Sequence, residues 1–255
     1  MTSKNNLHKV YIVGAGPGNP DMLTVKAHKL ITNWAEIIVH DKLISPEILQ
    51  LIPQSVERIF AGKEPQNHIM KQEEINDVLV AKAKQGKKVL RLKGGDPFIF
   101  GRGGEEAEFI KQHGLQFEFV PGITTANGAA AENAIPITYR GKAEGVVMVT
   151  GHNYKDEYGN DCQPNLDYKF LASTNYTIVI YMGVKNIGII AQNLISNGKS
   201  QETPCYIIHQ ATNNDSKKLV CNLSDISEKI AENNISNPAI IYIGDVVNIS
   251  QELSQ

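Results

Sequence analysis

Cysteine is scarce in this sequence: only Cys162, Cys205 and Cys221 occur among its 255 residues. An odd number of widely spaced cysteines without a C-x-x-C pair argues against a disulfide framework and against a zinc site. The sequence therefore predicts free thiols, no bound metal and a reducing compartment, which we expect to be the cytoplasm.

Long hydrophobic runs and an excess of either charge are also missing. No stretch reaches the roughly 18 apolar residues of a transmembrane helix, and the opening residues MTSKNNLHKV lack the apolar core of a signal peptide. The formal net charge of −2 gives no sign of the basic field that nucleic-acid binders carry. We therefore expect neither a membrane nor a nucleic-acid partner, whereas an anionic small molecule needs only a local group of cations.

The first half of the sequence alternates apolar runs with segments of helical periodicity. The predicted strands are residues 10–13, 37–40, 56–60, 89–92 and 117–120. The predicted helices are residues 22–32, 73–84, 105–113 and 124–133. Strands separated by helices of this length are typical of parallel βαβ units. Continuous apolar runs indicate strands that are buried on both faces.

The second half predicts a sheet of mixed strand direction. Its predicted strands are residues 146–150, 177–181, 205–210, 219–222 and 239–243, and its helices lie near 186–196 and 223–232. The polar stretch 211–218 between two strands is a hairpin signal, and residues 152–167 show no periodicity. We predict two α/β domains, residues 1–140 and 141–255, with a ligand cleft between them.

A glycine-rich segment, GAGPGNP at residues 14–20, follows the first predicted strand. A strand, a glycine turn and a helix suggest a dinucleotide site, but Asn19 stands where the third glycine of that motif belongs. Pro17 and Pro20 each remove a backbone donor, so the loop is stiff and poorly suited to a pyrophosphate. It predicts a rigid surface for a flat or compact ligand, while a turn that serves only packing is equally consistent with this segment.

A second loop, RLKGGDPFIFGRGGEE at residues 91–106, carries a stronger signal. It lies at the carboxyl end of a predicted strand, where ligands bind in open α/β sheets. Gly94 and Gly95 allow a ligand to approach the backbone, and its density of glycines and charges favours function over a simple turn. A third segment, VPGITTA at 120–126, also ends a strand; its Thr124 and Thr125 either cap the next helix or bind a ligand.

Together these segments resemble the uroporphyrinogen-III C-methyltransferase family, a branch of the tetrapyrrole methyltransferases. The matching stretches are VGAGPGNPDMLT (13–24), RLKGGDPFIFGRGGEE (91–106), VPGITTA (120–126), IPITYRG (135–141), VTGH (149–152), YMG (181–183) and NPAIIYIGDVV (237–247). The resemblance implies a two-domain tetrapyrrole methyltransferase fold, α/β, with a mostly parallel N-terminal sheet, a mixed C-terminal sheet and a cleft between them. It also implies a homodimer.

The same resemblance implies the methyl donor and its contacts. The donor is S-adenosylmethionine, which leaves as S-adenosylhomocysteine, and no metal takes part. The residues implied to bind it are Pro17, Gly94, Gly95, Asp96, Ile99, Thr124, Thr125, Met182 and Ala211. Asp41, after the second strand, is implied as the general base and Lys63 as the general acid.

The implied reaction is the methylation of uroporphyrinogen III at carbons 2 and 7, which gives precorrin-2 by way of precorrin-1. This step belongs to the sirohaem and cobalamin branch of tetrapyrrole synthesis. The substrate carries eight carboxylates, and the planar guanidinium of arginine binds carboxylates with two parallel hydrogen bonds. We therefore predict Arg102 and Arg140 as substrate anchors.

Three alternatives remain at this point. A later precorrin methyltransferase of cobalamin synthesis shares the early glycine loop, but the 91–106 stretch fits the first methylase better. A nicotinamide-dependent dehydrogenase is opposed by Asn19 and the two prolines of the first loop. A regulatory protein that binds the donor without turnover is suggested by the residues after Lys63, where Glu64–His68 replace the family's basic, glycine-containing stretch.

Overall fold

The computed structural model describes residues 7–62, 70–155, 159–213 and 215–253. Contacts divide the chain into two compact units, Met1–Thr125 and Ala126–Gln255. Residues 126–140, predicted as part of the first domain, lie in the second unit, where Ala129 and Ile135 share a core cluster with Ile208 and Tyr242.

The first unit is a parallel sheet covered by helices. Its strands are β1 (Val10–Gly14), β2 (Ile37–His40), β3 (Glu57–Phe60), β4 (Val89–Lys93) and β5 (Phe117–Val120). Its helices are α1 (Val25–Lys29), α2 (Pro46–Gln50), α3 (Gln72–Lys84) and α4 (Gly103–Gln112), with a 3₁₀ turn at Pro20–Met22 and a π turn at Leu30–Trp34. The strand order is β3-β2-β4-β1-β5, and every neighbouring pair is parallel.

The strands of this sheet are buried on both faces, as their continuous apolar runs predict. On one face Ile12 and Val39 pack with Leu79 of α3 and Ile110 of α4. On the other face the alternate residues pack with α1, the π turn and α2: the members of this cluster include Val13, Ile38, Leu90, Leu92, Ala27, Ile31 and Ile48. Side chains alternate along a strand, so two helical layers need apolar residues at consecutive positions.

The second unit begins with helix α5 (Thr125–Glu132), whose first residue is the last of the first unit. Its strands are β6 (Val146–Thr150), β7 (Tyr154–Lys155), β8 (Asp161–Cys162), β9 (Thr177–Tyr181), β10 (Pro204–His209), β11 (Lys217–Asn222) and β12 (Ala239–Ile243). Its other helices are α6 (Tyr168–Ser173), α7 (Ile187–Ser196), α8 (Ile226–Glu232) and α9 (Val246–Leu253), with a 3₁₀ turn at Val184–Asn186.

The main sheet of the second unit has the order β11-β10-β12-β9-β6. The pair β6–β9 is parallel and the other three pairs are antiparallel. The predicted mixed sheet and the predicted β10–β11 hairpin are therefore confirmed. The small β7–β8 pair was not predicted from the sequence and lies within the segment expected to be irregular.

Three helices were also missed: α2, α6 and α9. Helices α2 and α6 have only 5 and 6 residues, too few for a 3.6-residue period to stand out from a loop. Helix boundaries come from capping: Ser45 Oγ accepts the Ile48 N–H at the start of α2, and the Glu74 carboxylate accepts the Lys71 N–H at the start of α3.

Among the described residues, no helix is both long enough and apolar enough to cross a membrane.

Candidate functional site

The candidate site of the first unit lies at the carboxyl edge of its sheet. Because all five strands are parallel, the segments that follow them meet at this one edge. Asp41 follows β2, Gly94 follows β4, and the segment containing Gly122 follows β5. The topology thus brings the first glycine loop, the 94–102 loop and the third predicted segment to the same edge.

The three glycine loops pack backbone against backbone. Gly16 N–H donates to the Gly95 carbonyl at 3.1 Å, and Gly95 N–H donates to the Gly16 carbonyl at 2.8 Å. A Cβ on Gly14 would lie 2.6 Å from the Gly95 oxygen, and one on Gly122 would lie 2.2 Å from that oxygen. Hence these glycines are required by loop packing, which accounts for the first loop without any ligand contact.

Asp96 joins two of these loops. Its Oδ1 accepts the Phe98 N–H at 2.8 Å, and its Oδ2 accepts the Gly122 N–H at 3.1 Å. The carboxylate therefore orders its own turn and holds the loop after β5 against it. Any ligand contact of Asp96 would come in addition to this structural role.

The other donor-binding candidates of the first unit differ in accessibility. Gly95 is buried, and its N–H and carbonyl are both engaged with Gly16. The remaining candidates are partly exposed: Pro17, Gly94, Asp96, Ile99, Thr124 and Thr125. These six can therefore contact a ligand directly, whereas the main contribution of Gly95 is to the shape of the loop.

In the second unit the candidates are Met182, Ala211 and Arg140. Met182 is 41% exposed and has a φ of 54°, a left-handed conformation that non-glycine residues seldom adopt outside special sites. Ala211 is 6% exposed. Arg140 is exposed in the turn that Tyr139 and Ala143 close through paired backbone hydrogen bonds of 2.8 Å.

Two tyrosines of the second unit fix the start of α5. Ala126 N–H donates to Tyr181 Oη at 3.1 Å, and Tyr242 Oη donates to the Ala126 carbonyl at 2.7 Å. Burial raises the pKa of Tyr242, so this hydroxyl stays protonated and remains a donor. Neither tyrosine was predicted from the sequence as a site residue, although both set the backbone that follows Thr124 and Thr125.

Asp41 belongs to a cluster of four charged side chains in the first unit. Arg91 Nη2 donates a hydrogen bond to Asp41 Oδ1, and Arg91 Nε donates to Glu106 Oε1 at 3.0 Å. Lys93 Nζ lies 2.9 Å from Glu106 Oε1 and 4.0 Å from Asp41 Oδ2. Arg91 is 2% exposed, Lys93 3% and Glu106 0%, whereas the Asp41 side chain is 29% exposed. Only the aspartate among these four is open to a ligand.

Burial and mutual contact set the charges of this cluster. Burial opposes the charge of Arg91, but the carboxylates of Asp41 and Glu106 outweigh that effect and raise the pKa of the guanidinium. Burial, reinforced by the neighbouring charge of Arg91, lowers the pKa of Lys93 below its ordinary value. Arg91 is therefore the permanent cation between the two carboxylates.

The predicted anchor Arg102 precedes α4 and adopts a φ of 56°. Its guanidinium pairs with Glu105 at 2.6 Å, and both side chains are more than half exposed. An exposed pair of this kind is weak and can exchange partners with a carboxylate ligand. Lys63, the predicted general acid, lies outside the described residues.

Comparison with known proteins gives a family. Residues 9–227 match the family of Tetrapyrrole (Corrin/Porphyrin) Methylases. The chain belongs to this family. It is 47% identical over 245 residues to the uroporphyrinogen-III C-methyltransferase of Bacillus subtilis, and the match covers 96% of this chain and 93% of that one.

Relatives of a different length match as well. The siroheme synthase of Nitrosospira multiformis is 46% identical over 246 residues, which cover 96% of this chain and 51% of that protein. The chain thus spans about half the length of the siroheme synthases that it matches.

Solved structures of methylases share the fold. The Thermus thermophilus uroporphyrin-III C-methyl transferase, complexed with S-adenyl homocysteine, is 33% identical with a TM-score of 0.78, and the match covers 95% of this chain and 94% of that one. A cobalt precorrin-4 methyltransferase is 26% identical with a TM-score of 0.81, covering 96% and 98%. The predicted tetrapyrrole methyltransferase fold is confirmed. Because the cobalt precorrin-4 methyltransferase has this fold as well, the fold does not distinguish methylation of uroporphyrinogen III from methylation of a later precorrin, and sequence identity must decide between them.

Proposed function

We propose that this chain transfers methyl groups from S-adenosylmethionine to carbons 2 and 7 of uroporphyrinogen III, giving precorrin-2 by way of precorrin-1. The observation that carries the proposal is the 47% identity to the Bacillus subtilis uroporphyrinogen-III C-methyltransferase over nearly the full length of both chains. The identity to the cobalt precorrin-4 methyltransferase is 26%, which favours the first methylase over a later one.

The residues at the sheet edge fit this methyl donor. The loop after β4 offers the accessible backbone of Gly94. A Cβ added at position 94 would lie 3.1 Å from the Cβ of Leu43, so glycine keeps this part of the backbone uncrowded. Thr124 and Thr125 add partly exposed hydroxyls, and Ile99 adds a partly exposed apolar wall. When bound, the donor supplies an electrophilic methyl on a sulfonium. We propose that these residues of the first unit, with Pro17 and Asp96, and Met182 and Ala211 of the second, hold it.

Asp41 is the proposed general base. Attack by an electron-rich pyrrole carbon forms the new carbon–carbon bond as the carbon–sulfur bond breaks, and S-adenosylhomocysteine leaves with the electron pair of that bond. The macrocycle must then lose a proton, and a partly exposed carboxylate held in place is a suitable acceptor. Lys63 remains the proposed general acid, and Arg102 and Arg140 the proposed anchors for the substrate carboxylates.

The deciding experiment counts methyl groups. Purified protein is incubated anaerobically with uroporphyrinogen III and donor carrying a labelled methyl, and the product is analysed by mass spectrometry. We expect two labelled methyls in a single tetrapyrrole product. A product with one methyl would restrict the proposal to the first step. Donor binding without any methylated product would favour a regulatory protein, and turnover only of a precorrin already methylated would favour a later enzyme.

Replacing Asp96 with alanine should weaken donor binding and also destabilise the first unit. The change removes the acceptor of both the Phe98 and the Gly122 N–H, and leaving such donors unpaired costs about 1–3 kcal/mol each where water cannot replace the carboxylate. Isothermal titration with S-adenosylhomocysteine and a thermal melt measure the two effects. Glu108→Gln, an exposed change on α4, is the matched control. Wild-type donor affinity in Asp96→Ala would contradict the assignment.

We further propose that the protein is cytoplasmic and homodimeric. All three cysteines are free, as suits a reducing compartment. Burial raises the pKa of Cys205, and it raises that of Cys221 to about 12, so neither is a ready thiolate. Light scattering during gel filtration measures the oligomeric state, and a monomer at micromolar concentration would overturn the dimer.

A further inference from the structure

We propose that Glu106 is a positioning residue that acts through Arg91 on the carboxylate of Asp41. The inference rests on the proposed role of Asp41 as general base. Glu106 lies in α4 and is fully buried, so it does not reach a substrate. Its link to the reacting groups is the guanidinium of Arg91.

The geometry of Arg91 supports this link. Its Nε donates to Glu106 Oε1 at 3.0 Å, while Nη2, at the other side of the same planar group, donates to Asp41 Oδ1. Its Nη1 lies 3.4 Å from the Val39 carbonyl and 3.3 Å from the Leu92 carbonyl. A rigid guanidinium held at several points has one orientation. Its hydrogen bond therefore fixes the position of Asp41 Oδ1, and with Oδ1 fixed the orientation of the whole carboxylate, including Oδ2, is set.

The balance of charge gives Glu106 a second effect. The cluster contains two cations, Arg91 and Lys93, and two carboxylates, Asp41 and Glu106. Without Glu106, Asp41 would be the one carboxylate of the cluster facing both cations, and Lys93 would compete with Arg91 for its oxygens. Glu106 thus keeps Lys93 engaged and leaves Arg91 to orient Asp41.

The burial pattern distinguishes this arrangement from an ion cluster that serves stability alone. Gln72 of α3 also donates to Glu106 Oε1, at 3.0 Å, so α3, α4 and β4 all converge on one buried oxygen. Asp41, at the carboxyl edge of the sheet, is the one member of the cluster whose side chain is partly exposed. Buried ion pairs contribute little net stability relative to apolar packing, which makes an orienting role the better account of this cluster.

The test compares Glu106→Gln with Glu108→Gln, two residues further along α4 and exposed. We expect Glu106→Gln to reduce kcat by about 10- to 100-fold, as small misplacements of a reacting group do, with wild-type affinity for S-adenosylhomocysteine. Glu108→Gln should match the wild type in both measurements.

Several outcomes would overturn the inference. A wild-type kcat in folded Glu106→Gln would do so, as would a fall in donor affinity that matches the fall in kcat. If Glu106→Gln fails to fold, Arg91→Lys decides by the same measurements, since lysine keeps the charge and loses the two-sided contact. Asp41→Asn separates the two proposals. A normal rate in that variant refutes the base, whereas a slow Asp41→Asn beside a normal Glu106→Gln refutes only the positioning role.

Discussion

Replacing Asp41 with asparagine should lower kcat by about 10²- to 10⁴-fold, the usual contribution of a general base, with little change in donor affinity. Asparagine has nearly the same shape and keeps an oxygen that can accept the hydrogen bond of Arg91 Nη2, but it cannot take up the proton that leaves the macrocycle. Single-turnover formation of the methylated product, together with calorimetric titration of S-adenosylhomocysteine, measures the two quantities.

The control for this variant is Asp77→Asn, which makes the same chemical change at an exposed position of α3. A thermal melt is needed as well, because Asp41→Asn leaves the buried Arg91 with one carboxylate instead of two. A rate loss accompanied by an unchanged melting temperature assigns the effect to chemistry. If the rate of Asp41→Asn stays at the wild-type value, another group accepts the proton.

The sequence contained enough information to locate the strands of the first unit along the chain. Its apolar runs at 37–40 and 89–92 coincide with β2 (Ile37–His40) and with most of β4 (Val89–Lys93). A strand buried on both faces needs apolar residues at consecutive positions, and the short length of these runs favoured strands over buried helices. The hairpin of β10 and β11 was equally readable, because a polar stretch separates the two strands.

The charged cluster was only partly readable. Side chains alternate along a strand, so Val89, Arg91 and Lys93 share one face of β4, the face on which Val89 packs with Ile110 of α4. The helical period places Glu106 on the same buried side of α4 as Ala107 and Ile110. These two signals, a pair of cations on a buried strand face and a carboxylate on a buried helix face, could have predicted their contact. The involvement of Asp41 depends on the order of β2 beside β4, which the sequence does not give.

The glycine loops show why residue type alone left two interpretations open. Gly14 and Gly16 fit both a ligand surface and a packing turn, and the choice depended on a neighbour about 80 residues further along the chain. Gly95 supplies that neighbour: it exchanges two hydrogen bonds with Gly16 and places its carbonyl where side chains at 14 and 122 would stand. The loops are therefore a single packed structure, and the donor binding that we propose at Gly94 and Thr124 would depend on contacts that the donor itself does not make.

This dependence predicts a large effect for Gly122→Ala. The added methyl would lie 2.2 Å from the Gly95 oxygen and 2.8 Å from the Gly14 Cα, and these are backbone atoms that cannot move without separating the loops. We expect a loss of about 3 kcal/mol in stability, at the upper end for overpacked sites, which corresponds to a fall in Tm of roughly 6–12 °C. Affinity for S-adenosylhomocysteine should fall with it, because the loop after β4 shifts.

Gly104→Ala is the matched control. Gly104 is exposed in α4, the helix that follows the loop after β4, and a Cβ added there meets no atom within 4 Å. Alanine in a helix is favoured over glycine by up to about 1 kcal/mol, so the Tm of this variant should stay level or rise slightly while donor affinity is unchanged. Equal melting temperatures and equal affinities in the two variants would show that the loops can separate at little cost in free energy. The backbone contact of Gly14, Gly95 and Gly122 would then have no role in shaping the proposed donor site.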